Sequence, residues 1–195
     1  MDAGDDTLWE RCRAGDAEAL GALFERHAKA VYNYCFRRAG DWALAEDLVS
    51  VVFLEAWRRR DASIEPGKVL PWLYGIATNV IRNRRRWERR HAAALRRLPQ
   101  PQPESSFADD AEARLDDVQA ARRALALLDG LPRRERDVFA LCAWFELPYE
   151  DAAFALGVPV GTVRSRLARA RRRLERLAAP QRDHTTACLG EVEVP

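Results

Sequence analysis

The chain has 195 residues, of which 48% are hydrophobic and 32% charged, with a formal net charge of +2. That length fits one large or two small domains, each with its own core. No run approaches the ~20 apolar residues that span a bilayer, and the acidic opening MDAGDDTLWE lacks the basic-then-apolar order of a secretory signal, so the sequence predicts a cytoplasmic protein without membrane insertion.

Helix signals dominate from the start. Asp16 suits the cap of a helix whose apolar face carries Leu20, Leu23, Phe24, Val31 and Tyr34 at three- and four-residue steps. Gly40 ends it, and Asp41 opens a second helix with Trp42, Ala45, Leu48, Val49, Val52, Phe53, Ala56 and Trp57 on one side. The loop Asp61–Lys68, with its Pro66-Gly67 pair, follows. Pro71 fits the first turn of a third helix, WLYGIATNVIRNRRRWERR. Trp72, Ile76, Val80 and Ile81 are expected to face inward there, leaving Asn79, Arg82, Asn83 and Arg86 on other faces.

The pattern then breaks. LPQPQPESSFADDAEA combines prolines, serines and acids with Phe107 as its one aromatic residue, which is the composition of a flexible linker. Helical periodicity resumes at Leu115, Val118, Ala121, Leu125 and Leu128. Gly130 ends that helix, Pro132 starts another carrying Val138, Leu141, Cys142 and Phe145, and a short helix begins at Tyr149. No β-hairpin signal occurs. The expected fold is all-α: two small helical domains, residues 5–97 and 114–179, joined by a linker at 98–113 and followed by a disordered tail at 180–195.

Charge is distributed unevenly along this plan. Lys29 and Lys68 are the only lysines among 32 cationic residues. Arg82–Arg97 holds eight arginines against Glu88, and Pro159–Leu177 holds seven against Glu175. Arginine forks pair with phosphates and guanine edges bidentately, so two arginine blocks predict polyanion contacts rather than plain solvated faces. In YEDAAFALGVPVGTVRSRL the spacing of Ala153, Gly157, Val163 and Leu167 is that of a helix-turn-helix. A small residue admits close helix approach, glycine makes the turn, and the later apolar pair packs the second helix back. The other side of that helix then offers Thr162, Arg164, Ser165, Arg166, Arg169, Arg171, Arg172 and Arg173 to a major groove. The helix that carries the first block interleaves Trp72, Tyr74 and Trp87 with Asn79, Arg82, Asn83 and Arg86, which suits unpaired bases, although Trp72 alone reads better as a core residue.

Catalysis finds no support in the sequence. There is no glycine-rich phosphate loop, no H-E-x-x-H and no nucleophile with histidine and acid at recognisable spacing. Cys12, Cys35, Cys142 and Cys188 are scattered, and His27, His91 and His184 lie at no metal-ligand spacing from them, so neither disulfide, metal nor cofactor is expected.

Three stretches, AEDLVSVVFLEAW (45–57), PWLYGIATNVIRNRRR (71–86) and LPRRERDVFALCAWFELPYEDAAFALGVPVGTVRSRLARARRRL (131–174), together resemble the extracytoplasmic-function group of the sigma-70 family of bacterial RNA polymerase sigma factors. The resemblance covers residues 7–178. It implies that the first domain is sigma region 2 and the second region 4. Asp47, Leu48, Ser50, Val51 and Leu54 would form an exposed surface gripping the clamp coiled coil of the largest subunit of core RNA polymerase, with the flap of the second subunit as a further contact. The third helix (Asn79, Arg82, Asn83, Arg86) and the loop, with Asp61 or Ser63 as candidates to hold a flipped base, would recognise and melt the minus-ten element of promoter DNA. The helix-turn-helix would read the minus-thirty-five element, with Arg164, Ser165, Ala168 and Arg169 nearest the bases. An anti-sigma partner is also implied. Ser50-Val51 stands where the family often has Gln-Glu, Asn83 where it often has Asp, and the loop lacks the usual asparagine. The competing reading is a free-standing helix-turn-helix regulator that never engages polymerase.

Overall fold

The computed structural model describes residues 3–95 and 127–178, and all regular structure among them is helical. The N-terminal half contains α1 (Asp5–Arg13), α2 (Ala17–Ala39), α3 (Trp42–Arg58) and α4 (Val69–Leu95). The C-terminal half contains α5 (Arg133–Phe139), α6 (Tyr149–Leu156) and α7 (Val160–Ala178). The expected linker at 98–113, the tail at 180–195, Arg96, Arg97 and the helix positions Leu115, Val118, Ala121 and Leu125 lie outside the described residues.

The chain's own punctuation sets these boundaries. The Asp16 carboxylate accepts from the backbone N–H groups of Glu18 (2.9 Å) and Ala19 (3.2 Å), satisfying two donors that the start of α2 would leave bare. Gly40 adopts φ 73° and donates back to Phe36 O at 2.8 Å, closing the helix, and Asp41 at once caps α3 through Leu44 N at 2.9 Å. Short α1 was not foreseen, because its apolar residues Leu8, Trp9 and Cys12 fill barely one turn of periodicity. They are nonetheless buried, and Trp9 Nε1 donates to Ala62 O at 3.1 Å, which ties α1 to the loop before α4.

Two expected core positions are corrected by the structure. Trp42 is 71% exposed at the first residue of α3, where a helix end has fewer neighbours than its middle. Phe24 is 42% exposed and covers the edge of Phe53 (ring centroids 4.9 Å apart) rather than entering the core. On α4, Ile81 is buried while Val80 is half-buried, and Leu73, Tyr74 and Ala77 are buried as well. A single apolar stripe cannot account for this. α4 is covered by α2 and α3 on one side and by α6 on another.

The two halves share one continuous core instead of standing apart. Between α5 and α6, Ala140–Trp144 widens into a π-turn, with Phe145 N donating to Ala140 O at 3.2 Å. The wider turn delivers Phe145 onto Tyr34 and Tyr74 of the N-terminal half, with centroids 5.2 and 5.8 Å away. α4 and α6 cross so closely at Gly75 that a Cβ there would lie 2.4 Å from Ala155 O. The seam is closed by ions too. Asp137, fully buried on α5, accepts from Arg38 of α2 at 2.6 Å and from Arg82 Nε of α4 at 2.9 Å. Lys68 of the loop pairs with Asp151 of α6.

Candidate nucleic-acid and polymerase interfaces

The helix-turn-helix assembles as its spacing predicts. α6 ends at Gly157, whose φ of 62° is the left-handed conformation that glycine tolerates best, and α7 starts three residues later. Val163, Leu167 and Ala170 are buried at four- and three-residue steps, and Ala152 and Ala153 allow α6 to approach them. This leaves Arg164, Ser165, Ala168, Arg169, Arg171 and Arg172 exposed, with Thr162 and Arg166 half-buried. Several of these side chains are already oriented. Arg164 lies over the Tyr149 ring at 5.8 Å, and the Ser165 hydroxyl donates to Thr162 O at 3.1 Å.

Sequence reading missed how α5 supports this face. Glu135, buried on α5, pairs electrostatically with Arg173 Nε at 3.0 Å and Arg169 Nε at 3.6 Å, bracing two α7 arginines from behind. Arg134 adds a further cation beside Arg166, whose pKa is lowered by burial first and then by the charges of Arg134, Arg169 and Arg82. An anion at this face would relieve that repulsion. Pro132 followed by Arg133-Arg134 in the sequence was the available signal.

On α3, Asp47, Ser50, Val51 and Leu54 fall on one exposed stripe, with Val51 42% and Leu54 49% exposed. Leu48 departs from the expected surface. At 5% exposed it belongs to the core row with Ala45, Val49 and Val52, which a three-to-four-residue repeat already assigned to the opposite face. A groove of about 350 Å³ runs between α3 and α4, bringing Asp47 and Val51 alongside Asn79 and Asn83. Residues expected to meet polymerase and residues expected to meet DNA therefore line the same groove.

The other positions on α4 divide. Asn79, Asn83 and Arg86 are exposed, whereas Arg82 is committed to Asp137 and to Asn79 Oδ1 at 3.2 Å. Trp72 packs edge-on against Trp9, centroids 4.6 Å apart, which makes it part of the core. Trp87 is 55% exposed, stacked on His91 at 5.0 Å and covered by Arg84 at 5.2 Å, an aromatic platform that remains open to solvent. Asp61 and Ser63 are exposed on the loop, which is held from below by Trp9 and by Gly67 N donating to Asp6 Oδ1 at 2.9 Å. Among the described residues no three histidine, cysteine or acidic side chains gather as a metal site, and no helix is long and apolar enough to cross a membrane.

An arginine-faced helix-turn-helix, joined to a helical half that carries an apolar stripe beside a basic helix, defines a DNA-binding protein of transcription. Residues 23–91 match the profile of Sigma-70 region 2, and residues 121–174 that of Sigma-70, region 4. The chain is 34% identical over 184 residues to the ECF RNA polymerase sigma factor SigE of Mycolicibacterium smegmatis, covering 88% of this chain and 67% of that one. It is 30% identical over 192 residues to the RNA polymerase sigma-H factor of Pseudomonas aeruginosa, covering 90% and 94%. Its fold matches CnrH, solved in complex with the cytosolic domain of CnrY, at TM-score 0.63 and 26% identity over 89% of this chain and 96% of that one. It also matches Bartonella quintana RpoE, solved with the anti-sigma factor NepR, at TM-score 0.58 and 24% identity over 80% and 94%. The chain belongs to the sigma-70 family, in its extracytoplasmic-function group.

Proposed function

We propose that this sigma factor binds core RNA polymerase through the α3 stripe and reads two promoter elements with its two halves. Asp47, Ser50, Val51 and Leu54 would meet the clamp coiled coil of the largest subunit, and the C-terminal half the flap of the second. Arg164, Ser165, Ala168 and Arg169 would contact bases of the upstream element, with Arg171 and Arg172 on phosphates. Asn79, Arg82, Asn83 and Arg86, with Asp61 or Ser63 on the loop, would engage the downstream element and hold its unpaired bases. The protein performs no covalent chemistry in this reading. Its binding energy confers promoter choice and favours strand separation.

The observation that carries the proposal is the shared groove: Asp47 and Val51 face Asn79 and Asn83 across it, so polymerase and the melting strand would be gripped side by side. Arg82 and Lys68 are occupied by Asp137 and Asp151 in the closed arrangement, so the two halves would part before α4 and the loop take up DNA. A protein partner that holds the closed form fits the same geometry. The CnrH relative was solved with the cytosolic domain of CnrY, and an anti-sigma factor is the corresponding partner here.

Promoter-directed transcription in vitro tests this with core polymerase and either the wild-type chain or Leu54→Glu. Leu54 is 49% exposed, so a charge there leaves the core intact. Specific initiation by the wild type and its loss in the variant are expected. Duplex binding with no promoter specificity conferred on polymerase would instead favour a free-standing regulator.

A further inference from the structure

A cavity of about 680 Å³ opens at the seam between the halves, and its walls carry Arg38, Arg82, Arg85, Arg89, Arg133 and Arg136. Carboxylates do not balance them. Asp129 accepts from Arg85 at 3.0 Å and from Arg136 at 2.6 Å, and Asp137 serves both Arg38 and Arg82. Glu88 is taken at 2.7 Å by Arg84, which lies outside the wall. Among the described residues, seven guanidinium groups thus meet three carboxylates, an excess of four positive charges. Donors are in surplus as well. Arg38 Nε, Arg38 Nη1 and Arg136 Nε are buried with no hydrogen-bond acceptor among the described residues. Arg136 is held below the ordinary arginine range by burial first, with Arg85 and Arg38 repelling it against the pull of Asp129.

From this imbalance we infer that the seam cavity is a binding site for a short linear oligophosphate, either free or as the phosphate tail of a nucleotide. Each phosphate offers several acceptor oxygens in the geometry that guanidinium forks bind bidentately, and two or three phosphates in line match the charge excess. A single carboxylate would leave most of that excess uncancelled. The volume lies in the range of small-molecule sites, ~300–1,000 Å³. Its walls come from both halves, Arg38, Arg82, Arg85 and Arg89 from one and Arg133 and Arg136 from the other, which makes a concave site rather than a ridge that follows a duplex. The α7 face, by contrast, is an exposed row of arginines on one helix. The bound oligophosphate bridges the halves and stabilises the closed arrangement, because it loses the partners on one side when they part. None of this depends on which promoter contacts the open form makes.

Calorimetric titration of the full chain with inorganic tripolyphosphate tests the site, alongside Arg89→Ala/Arg133→Ala and Arg171→Ala/Arg172→Ala double variants. All four side chains are exposed, and circular dichroism melts would verify that each variant folds. One site per chain is expected, weakened about tenfold or more in the seam variant and unchanged in the α7 variant. Adenosine triphosphate binding as tightly as tripolyphosphate identifies the phosphate chain alone as the ligand, and tighter binding identifies a nucleotide. Multiple weak sites, or equal loss in both variants, would reduce the effect to general polyanion attraction and overturn the proposal. A short DNA duplex whose affinity falls with the seam variant as far as that of tripolyphosphate would overturn it in favour of a nucleic-acid contact.

Discussion

The Arg82 guanidinium on α4 meets the Asp137 carboxylate on α5 at 2.7 Å, and Asp137 is wholly buried. A side chain expected to face DNA is thereby held by the other half of the chain. The same carboxylate neutralises Arg38, itself 3% exposed, so one acid offsets two cations at the seam.

Asp137→Asn removes that charge while nearly preserving shape. Arg38 is left buried without a counter-ion, and breaking one side of a buried pair costs about 3–5 kcal/mol. The variant should unfold at markedly lower urea concentration, with the two halves melting in separate steps. Replacing both partners, as in Arg38→Met/Asp137→Leu, should recover much of the loss, because no fully buried charge is left unpaired and Arg82, 23% exposed, keeps access to water. If the single variant melts like the wild type, the pair does not hold the seam.

Much of this arrangement was legible in the sequence and some was not, for definable reasons. Asp16, Gly40, Asp41 and Gly157 act through local backbone chemistry, and each performs the role that its type and position predict. The α7 faces follow from a repeat within one helix, which is equally local. Leu48 shows how such information is lost, since the helical repeat put it in the core while the family resemblance put it on the surface, and the structure sides with the repeat. Asp137 and Arg38 are illegible in principle from periodicity. A charged residue on a helix reads as exposed, and only the partner 99 positions away makes burial tolerable. The docking of the halves rests on such distant pairs and on the approach at Gly75, which no local pattern announces.

Gly75→Ala tests that approach with opposing effects. Alanine favours α4 by about 1 kcal/mol over glycine in a helix interior. The new Cβ, however, would sit 2.4 Å from Ala155 O on α6, a backbone atom with no rotamer by which to withdraw. Helix content by circular dichroism should hold or rise, while small-angle scattering should report a larger radius of gyration as the halves part. An unchanged radius would mean that α6 shifts without undocking.

On α7, base contacts and phosphate contacts should separate by their sequence and salt dependence. Arg164→Ala, near the start of the helix, should cost about 1–3 kcal/mol on a matched upstream element and much less on a scrambled one. Arg172→Ala, two turns further on, should weaken both elements alike and reduce the salt slope by about one. Equal loss on the two elements for Arg164→Ala would remove it from base recognition. Competition binding at three salt concentrations distinguishes these outcomes.

Alkaline pH should destabilise the fold through groups that bury a proton. Burial pushes the Cys35 thiol up to about 12 from an ordinary 9.0, and it raises the fully buried Tyr34 phenol as well. Above pH 9 the unfolded chain releases the Cys35 proton while the folded chain keeps it, so the folded state binds more protons and stability falls as pH rises. Cys35 alone contributes a decline of about 1.4 kcal/mol per pH unit from its unfolded value up to its folded one, and Tyr34 steepens it above pH 10. Urea denaturation at pH 8, 9, 10 and 11 should follow this curve, and Cys35→Ala should flatten its lower part. At pH 8 the same burial should leave Cys35 unalkylated by iodoacetamide until urea unfolds the chain, since almost none of it is thiolate. Modification of Cys35 in the folded protein at that pH would mean that α2 opens locally, and the alkaline slope would then be shallower than one full proton.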